Sequence, residues 1–457
     1  MLKKKIIKST LSLLFVGFIT KILSTLGRIA TARTIGQEGM GIYMLVMPAA
    51  VFFINVIQLS LPTCINKLIA QNPSKSKNII ITSSIISLII NSIFMIFIIS
   101  FAPFIATNIL KNEKTLFAIN ALALLIPLIS LGGLIKGYYA GIGKIEITAY
   151  SQISEEVARI GFILLFGGYF VKGGEMYGAY AAILSLCIGE VFSLTHMIMS
   201  LKNLKNKTKK LFLGIINEQN LETKDILNMS LPLTGGKLIG SIAYMLEPII
   251  ITNVLLKTGM SNDAITLQYG ILSGYAMPLL LMPGFFANAF GRVLLQPMTS
   301  AITKNNKKEA KKLFTSLSIT SLLIGAFFSI IMFIFPNQLM TILYGTSDGA
   351  NYVRIFAIPF VLYYLESPFI SAMTALGKTK QIMFYDVITS ALRIGLLFIL
   401  LPSMKMMGVA LSTAISFITL VISDSVLSTV STTSFFTSSL VLEYLSTASL
   451  IAPACIS

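Results

Sequence analysis

Six cations stand inside otherwise apolar stretches of this chain: Lys21, Arg28, Arg159, Lys237, Arg292 and Arg393. Facing lipid at mid-bilayer, each would cost about 2.5–3.5 kcal/mol, or roughly 15–20 kcal/mol for all six. That sum exceeds the net stability of most folded proteins. These side chains must therefore meet acids, backbone carbonyls or water.

Lys21 and Arg28 carry the clearest pattern. They are seven residues apart, two helical turns, and so share one face with Gly17 and Ser24. No Asp or Glu occurs between Met1 and Ile35, so no local acid neutralises them. A small, polar, cationic face suits an anionic group in a water-filled cavity. Snorkelling to the headgroups is the rival account; it suits Lys237 in TGGKLIGS and Arg292 better than Lys21, which sits near mid-helix.

Arg159 follows Glu155 by four residues, the favourable order for an ion pair within one helix. Arg393 stands seven residues after Asp386 on roughly the same face, and pairing leads there too. Glu190, Glu247 and Glu366 have no local partner, and would pair across helices or face the cavity.

The elements that must position these residues are membrane helices. Of 457 residues 55% are hydrophobic and only 12% charged, against about a quarter charged in soluble domains. Mean hydropathy is +0.83. Residues 78–110, 264–291 and 313–347 contain no charge at all, and each is long enough to span a bilayer. Helices are expected near 9–33, 40–66, 78–105, 115–137, 147–171 and 175–201, then near 225–256, 266–300, 313–336, 351–374, 382–402 and 406–430. The fold class is an all-α polytopic membrane protein of about twelve transmembrane helices in two six-helix lobes, 1–201 and 225–430. A basic linker, 202–224, joins them. Residues 431–457, rich in Ser and Thr, are a C-terminal segment with room for a further helix.

A net charge of +17 raises nucleic acid as a partner, but most of the 35 Lys and Arg cluster in alternate loops. That is the positive-inside pattern. It places the chain in the cytoplasmic membrane with a cytoplasmic N-terminus, and removes the need for nucleic acid. MLKKKIIKSTLSLLFVGF reads as a retained first helix rather than a cleaved leader, because Lys21 and Arg28 interrupt it. Cys64, Cys187 and Cys455 form no CxxC pair and read as apolar filler. One histidine, His196, with no Walker A, HExxH or nucleophile elbow, leaves no metal site, no cofactor and no catalytic residue. The chain reads as a non-enzyme.

The halves repeat. Gly143-Lys144 precedes Arg159-Ile160-Gly161 as Gly377-Lys378 precedes Arg393-Ile394-Gly395, and Met47-Pro48 matches Met282-Pro283. With an even number of spans each, the halves enter the membrane in the same direction, a parallel repeat that transporters use with the substrate path between halves. The spacings Gly137-x-x-x-Gly141, Gly236-x-x-x-Gly240 and Gly270-x-x-x-Gly274 fit close helix packing.

The runs KILSTLGRIATARTIGQEGMGIYMLVMP, KGYYAGIGKIEITAYSQISEEVARIG, SLPLTGGKLIGSIAYMLEPIIITNVLL and LQYGILSGYAMPLLLMPGFF resemble the stage V sporulation protein B group. This group contains polysaccharide-biosynthesis-type exporters of the multidrug/oligosaccharidyl-lipid/polysaccharide superfamily. The resemblance implies two six-helix lobes around a central cavity, like lipid II flippases and multidrug extruders. It implies transport of a polyprenyl-pyrophosphate-linked oligosaccharide, a peptidoglycan precursor such as lipid II for spore cortex or cell wall. Cavity arginines of related flippases map loosely onto Lys21, Arg28 and Arg292. Members often carry two helices beyond the lobes, so the C-terminus here departs from the group.

Taken together, the expectation is an alternating-access flippase whose cavity cations Lys21, Arg28, Lys237 and Arg292 hold a lipid-linked anionic oligosaccharide. Glu155, Arg159, Glu247, Glu366, Asp386 and Arg393 are cavity or ion-pair residues. Coupling would come from the membrane potential, H+ or Na+. The alternatives are a cation-coupled multidrug extruder of the same fold, and a non-transporting assembly factor that binds cell-wall synthesis proteins.

Overall fold

The computed structural model describes the backbone of residues 2–203 and 222–430, and the side chains of 15–201 and 223–421. Most of the basic linker, the terminal segment 431–457 and Cys455 lie outside the described residues.

Among the described residues every regular element is helical. The helices are α1 (Leu2–Gln58), α2 (Leu61–Gln71), α3 (Ser76–Phe104), α4 (Leu116–Gly141), α5 (Ile145–Val171), α6 (Glu175–Asn203), α7 (Glu222–Lys257) and α8 (Asn262–Tyr269). They continue as α9 (Met277–Leu281), α10 (Gly284–Thr303), α11 (Lys307–Ile334), α12 (Pro336–Tyr344), α13 (Ala350–Tyr363), α14 (Glu366–Ala375), α15 (Thr379–Met404) and α16 (Met406–Val430).

Nine helical segments among these residues are long and apolar enough to cross a membrane. Three features reconcile this with about twelve spans. Helix α1 holds two, because Gly36 leaves helical geometry at φ 73° and ψ −179°. Helix α5 is long enough but carries Glu155, Glu156 and Arg159 at its centre. The described apolar part of α16 is short, Met406–Val421.

Three expected spans are broken. The helix expected over 40–66 ends at Gln58, where Leu59 and Ser60 both take positive φ, and restarts as α2. The span expected over 266–300 passes through a π-helical segment, Gly270–Ala276, and breaks at Met282-Pro283. The span expected over 351–374 is interrupted at Tyr364–Leu365. By contrast Pro48, Pro103, Pro127 and Pro232 stay inside continuous helices. Proline is tolerated where neighbours satisfy the carbonyl it frees, so proline alone does not mark a break.

The repeat is visible in local geometry. Helix α4 ends at Gly143 with φ 72°, and α14 ends at Gly377 with φ 74°. The Lys144 amide donates to the Tyr139 carbonyl at 2.8 Å, and the Lys378 amide to the Met373 carbonyl at 2.9 Å. These are matching helix stops built on a left-handed glycine, each satisfying a carbonyl the helix would leave bare.

The structure forms two compact units, Met1–Gly270 and Ile271–Ser457. In the first, α1, α4, α5 and α6 pack side by side, and α7 and α8 pack on α1. Its core runs through Ile42, Val46, Ile98, Leu122 and Ile183. The connections α3–α4 and α7–α8 meet: Lys114 Nζ lies 2.8 Å from Asp263 Oδ1, and Asn112 donates to Thr266 Oγ1 at 2.8 Å. The two connections therefore lie on one side of the membrane, as a parallel repeat requires. In the second unit Met298, Phe314, Phe369 and Val421 form the core, and the Tyr364 hydroxyl donates to the Leu280 carbonyl at 2.7 Å.

Glycine packing is selective. A β-carbon on Gly137 would sit 2.6 Å from the Pro62 carbonyl oxygen, and one on Gly141 2.8 Å from Ile69. Gly240, expected to pack in the same way, faces open space. Gly137→Ala should therefore lower stability by about 1–3 kcal/mol through overpacking. Gly240→Ala should be neutral or gain up to about 1 kcal/mol of helix propensity. Thermal unfolding of the two variants in detergent checks the contrast.

Candidate functional site

Helix α1 shows two exposed faces. Phe15, Phe18, Ile22 and Leu26 form one, an apolar stripe of the kind that faces lipid. Gly17, Lys21 and Arg28 form the other, with half-buried Ser24 between them. At 100° per residue the two stripes are centred roughly 130° apart. The buried residues Val16, Gly27 and Thr31 lie between them.

Helix α7 repeats this layout. Leu231, Ile239 and Ile242 make an exposed apolar face. Leu233, Lys237, Gly240 and Tyr244 are exposed on the opposite side. Close to Lys237, the Thr234 hydroxyl donates to Ser60 Oγ at 3.3 Å, tying α7 to the break before α2. In the second unit, α10 exposes Asn288, Arg292 and Gln296 on one side and Phe290, Val293 and Pro297 on another. All four cations expected to line a cavity are exposed, each on a side of its helix distinct from the apolar exposed side.

The other predicted residues divide differently. Arg159 is at the centre of an ionic chain. Its Nη2 lies 3.3 Å from Glu155 Oε1, as the sequence spacing predicts, and its Nη1 lies 3.1 Å from Glu156 Oε2. Lys136 of α4 lies 3.5 Å from Glu155 Oε2 and 3.2 Å from Glu190 Oε1 of α6. The Glu190 carboxylate rests on Gly132, where any side chain would displace it. Glu156 reaches α1, its Oε2 lying 3.7 Å from the place a β-carbon on Gly27 would take.

Glu247 is buried, Glu366 and Arg393 are half-buried, and Asp386 is exposed. Cys64 and Cys187 are buried free thiols, as apolar fillers should be.

Lys136 and Glu156 escaped the sequence reading. Lys136 sits near the end of its span and counts there as a cytoplasmic loop charge. Its partner Glu190 is 54 residues away, beyond any local spacing rule. Glu156 had a usable signal, since it precedes Arg159 by three residues, also a helical-pair spacing.

Each charge in the chain Lys136, Glu155, Glu190, Arg159 and Glu156 has an opposite neighbour, which is how ionisable groups persist inside a membrane. Removing one partner should leave a buried charge uncompensated. Lys136→Met should destabilise the protein by about 2–4 kcal/mol, and the double variant Lys136→Met/Glu190→Gln should recover part of that loss. Equilibrium unfolding in detergent, run as a double-mutant cycle, measures both.

Comparison with known proteins places this geometry. Residues 6–302 match the model of the polysaccharide biosynthesis protein family, and residues 248–399 match the MatE family. The chain is 31% identical to stage V sporulation protein B of Bacillus subtilis (strain 168) over 420 residues, covering 90% of this chain and 81% of that protein. Among solved structures, lipid II flippase MurJ in an inward closed conformation superposes with a TM-score of 0.71 at 15% identity, over 93% of this chain and 88% of that one. An inward-facing multidrug resistance MATE family transporter of the MOP superfamily gives 0.69 at 17% identity, over 91% and 96%. With a family model matched over more than half its length, the chain belongs to the polysaccharide biosynthesis protein family, and its fold is that of the solved MATE and MurJ structures.

Proposed function

We propose that this chain is a flippase for a polyprenyl-pyrophosphate-linked oligosaccharide, such as a peptidoglycan precursor, in the cytoplasmic membrane. The observation that carries the reading is the second exposed face of α1, with Gly17, Lys21 and Arg28 turned away from the apolar stripe. Lipid cannot solvate that face, so water or an anionic cargo must. The same layout on α7 and α10 supplies Lys237 and Arg292. Stage V sporulation protein B and lipid II flippase MurJ, by name, belong to spore formation and lipid II movement, which supports the cargo class.

In this reading the N-terminus is cytoplasmic, and the six-helix lobes 1–201 and 225–430 alternate access to the cargo. The polyprenyl tail stays in lipid while the cations hold the pyrophosphate. An inside-negative potential drives each outward-moving negative charge by about 2.3 kcal/mol per 100 mV.

The double variant Lys21→Ala/Arg28→Ala removes two charge-assisted contacts. Precursor flipping in proteoliposomes should fall at least about tenfold, with insertion unchanged. Wild-type rates in that variant would remove these residues from the site. Cation flux driven by drugs, without precursor binding, would favour a multidrug extruder instead.

A further inference from the structure

The connections that meet in the first compact unit come from different halves of the repeat. Asn112 and Lys114 precede α4, in the stretch 1–201, whereas Asp263 and Thr266 belong to α8, in the stretch 225–430. Lys114 Nζ lies 2.8 Å from Asp263 Oδ1, and the Asn112 amide donates to Thr266 Oγ1 at 2.8 Å, between two buried residues. Asn112 is itself held in place: its side-chain oxygen accepts from the Lys114 amide at 3.0 Å, and its carbonyl from the Thr115 hydroxyl at 2.7 Å. The same stretch of α8 touches α1 backbone to backbone. A β-carbon on buried Gly41 would collide with the Thr266 carbonyl. One on buried Gly270 would collide with the Gln37 carbonyl and sit 2.6 Å from the Gly41 nitrogen. With a cytoplasmic N-terminus, one crossing by α1 brings the chain to the outer side near Gly36, so all these contacts lie at the outer end.

We propose that these contacts are the outer gate of the transport path: a backbone seam, Gly41 on Thr266 and Gly270 on Gln37, latched by Asn112–Thr266 and Lys114–Asp263. The inference rests on the flippase reading above and deepens it by naming what must open for cargo to leave. If the lobes 1–201 and 225–430 alternate access, every contact that joins them at the outer end has to break on the way out. Seam and latch do different work. Glycines on both helices let the two backbones close without a side chain between them, which leaves no gap for an ion or a headgroup. Thr266 serves both parts, since its carbonyl meets Gly41 while its hydroxyl accepts from Asn112. The Lys114–Asp263 pair is exposed on both sides and so holds only weakly, as a gate that must reopen requires.

The test uses the full-length chain with Cys64, Cys187 and Cys455 replaced by alanine. Lys114→Cys/Asp263→Cys, bridged by a short bismaleimide, should flip lipid II in proteoliposomes at least about tenfold more slowly than the same protein before bridging. Equal rates before and after bridging overturn the gate. A second readout needs no cargo: a Ser24→Cys reporter on the cationic stripe, labelled in intact cells by a membrane-impermeant maleimide added outside. Gly270→Ala forces the seam apart and should speed that labelling at least about fivefold. Asp263→Lys sets two cations against each other and should speed it about twofold to fivefold, and adding Lys114→Asp should restore the slow rate. Labelling unchanged by Gly270→Ala overturns the seam. If Gly270→Ala does not insert, the charge reversal and its restoration carry the test, and labelling indifferent to both overturns the proposal. A chain that flips no lipid II before bridging, yet whose labelling answers to Gly270→Ala, removes the flippase reading and leaves the gate standing.

Discussion

Everything in the first unit is arranged around the cost of charge in a bilayer. Lys136, Glu155, Glu190, Arg159 and Glu156 link α4, α5 and α6 through contacts of 3.1–3.5 Å, and Glu156 packs against α1 at Gly27. None of these groups could stay ionised alone at that depth. Together they fix the rotation of three helices, because a turn of any one would strand a charge. Gly132 follows from the same constraint, leaving room for the Glu190 carboxylate that a side chain would take.

The repeat shows how specific that arrangement is. Arg393 stands where Arg159 stands, after a helix stop with the same left-handed glycine and the same hydrogen bond. Yet the positions that correspond to Glu155 and Glu156 hold Thr389 and Ser390, and the position of Lys136 holds Ile370. The backbone geometry and the arginine recur, while the acids and the lysine of this ionic chain do not recur at the matching positions. Shared geometry here reports on helix ends and spans, whereas the charge partners report on what each half does.

That division also explains what could be read from the sequence. Spans, the repeat and the Glu155–Arg159 pair follow from composition and local spacing, both written along one helix. The stripe through Gly17, Lys21, Ser24 and Arg28 is equally local, and the structure leaves its cations exposed. The break at Tyr364–Leu365 is not legible, since it carries neither glycine nor proline, whereas the one at Leu59–Ser60 has a signal in Pro62, in the first turn of α2. The Lys136–Glu190 contact was not legible either, because it depends on how α4 and α6 are rotated against each other. Gly236-x-x-x-Gly240 misled for a related reason: the spacing says that helices can approach closely, not that one does.

The absence of acid in the first 35 residues takes on a different meaning in three dimensions. Read along the chain, it makes α1 a bare cationic surface. In the folded unit Glu156 of α5 reaches α1 at Gly27, on the buried side of the helix that adjoins the cationic stripe. Lys21 lies two turns from Arg28, on the far side of Ser24 from it. The acid that α1 lacks in its own sequence is thus supplied by packing, on a side of the helix that local spacing cannot show to be occupied.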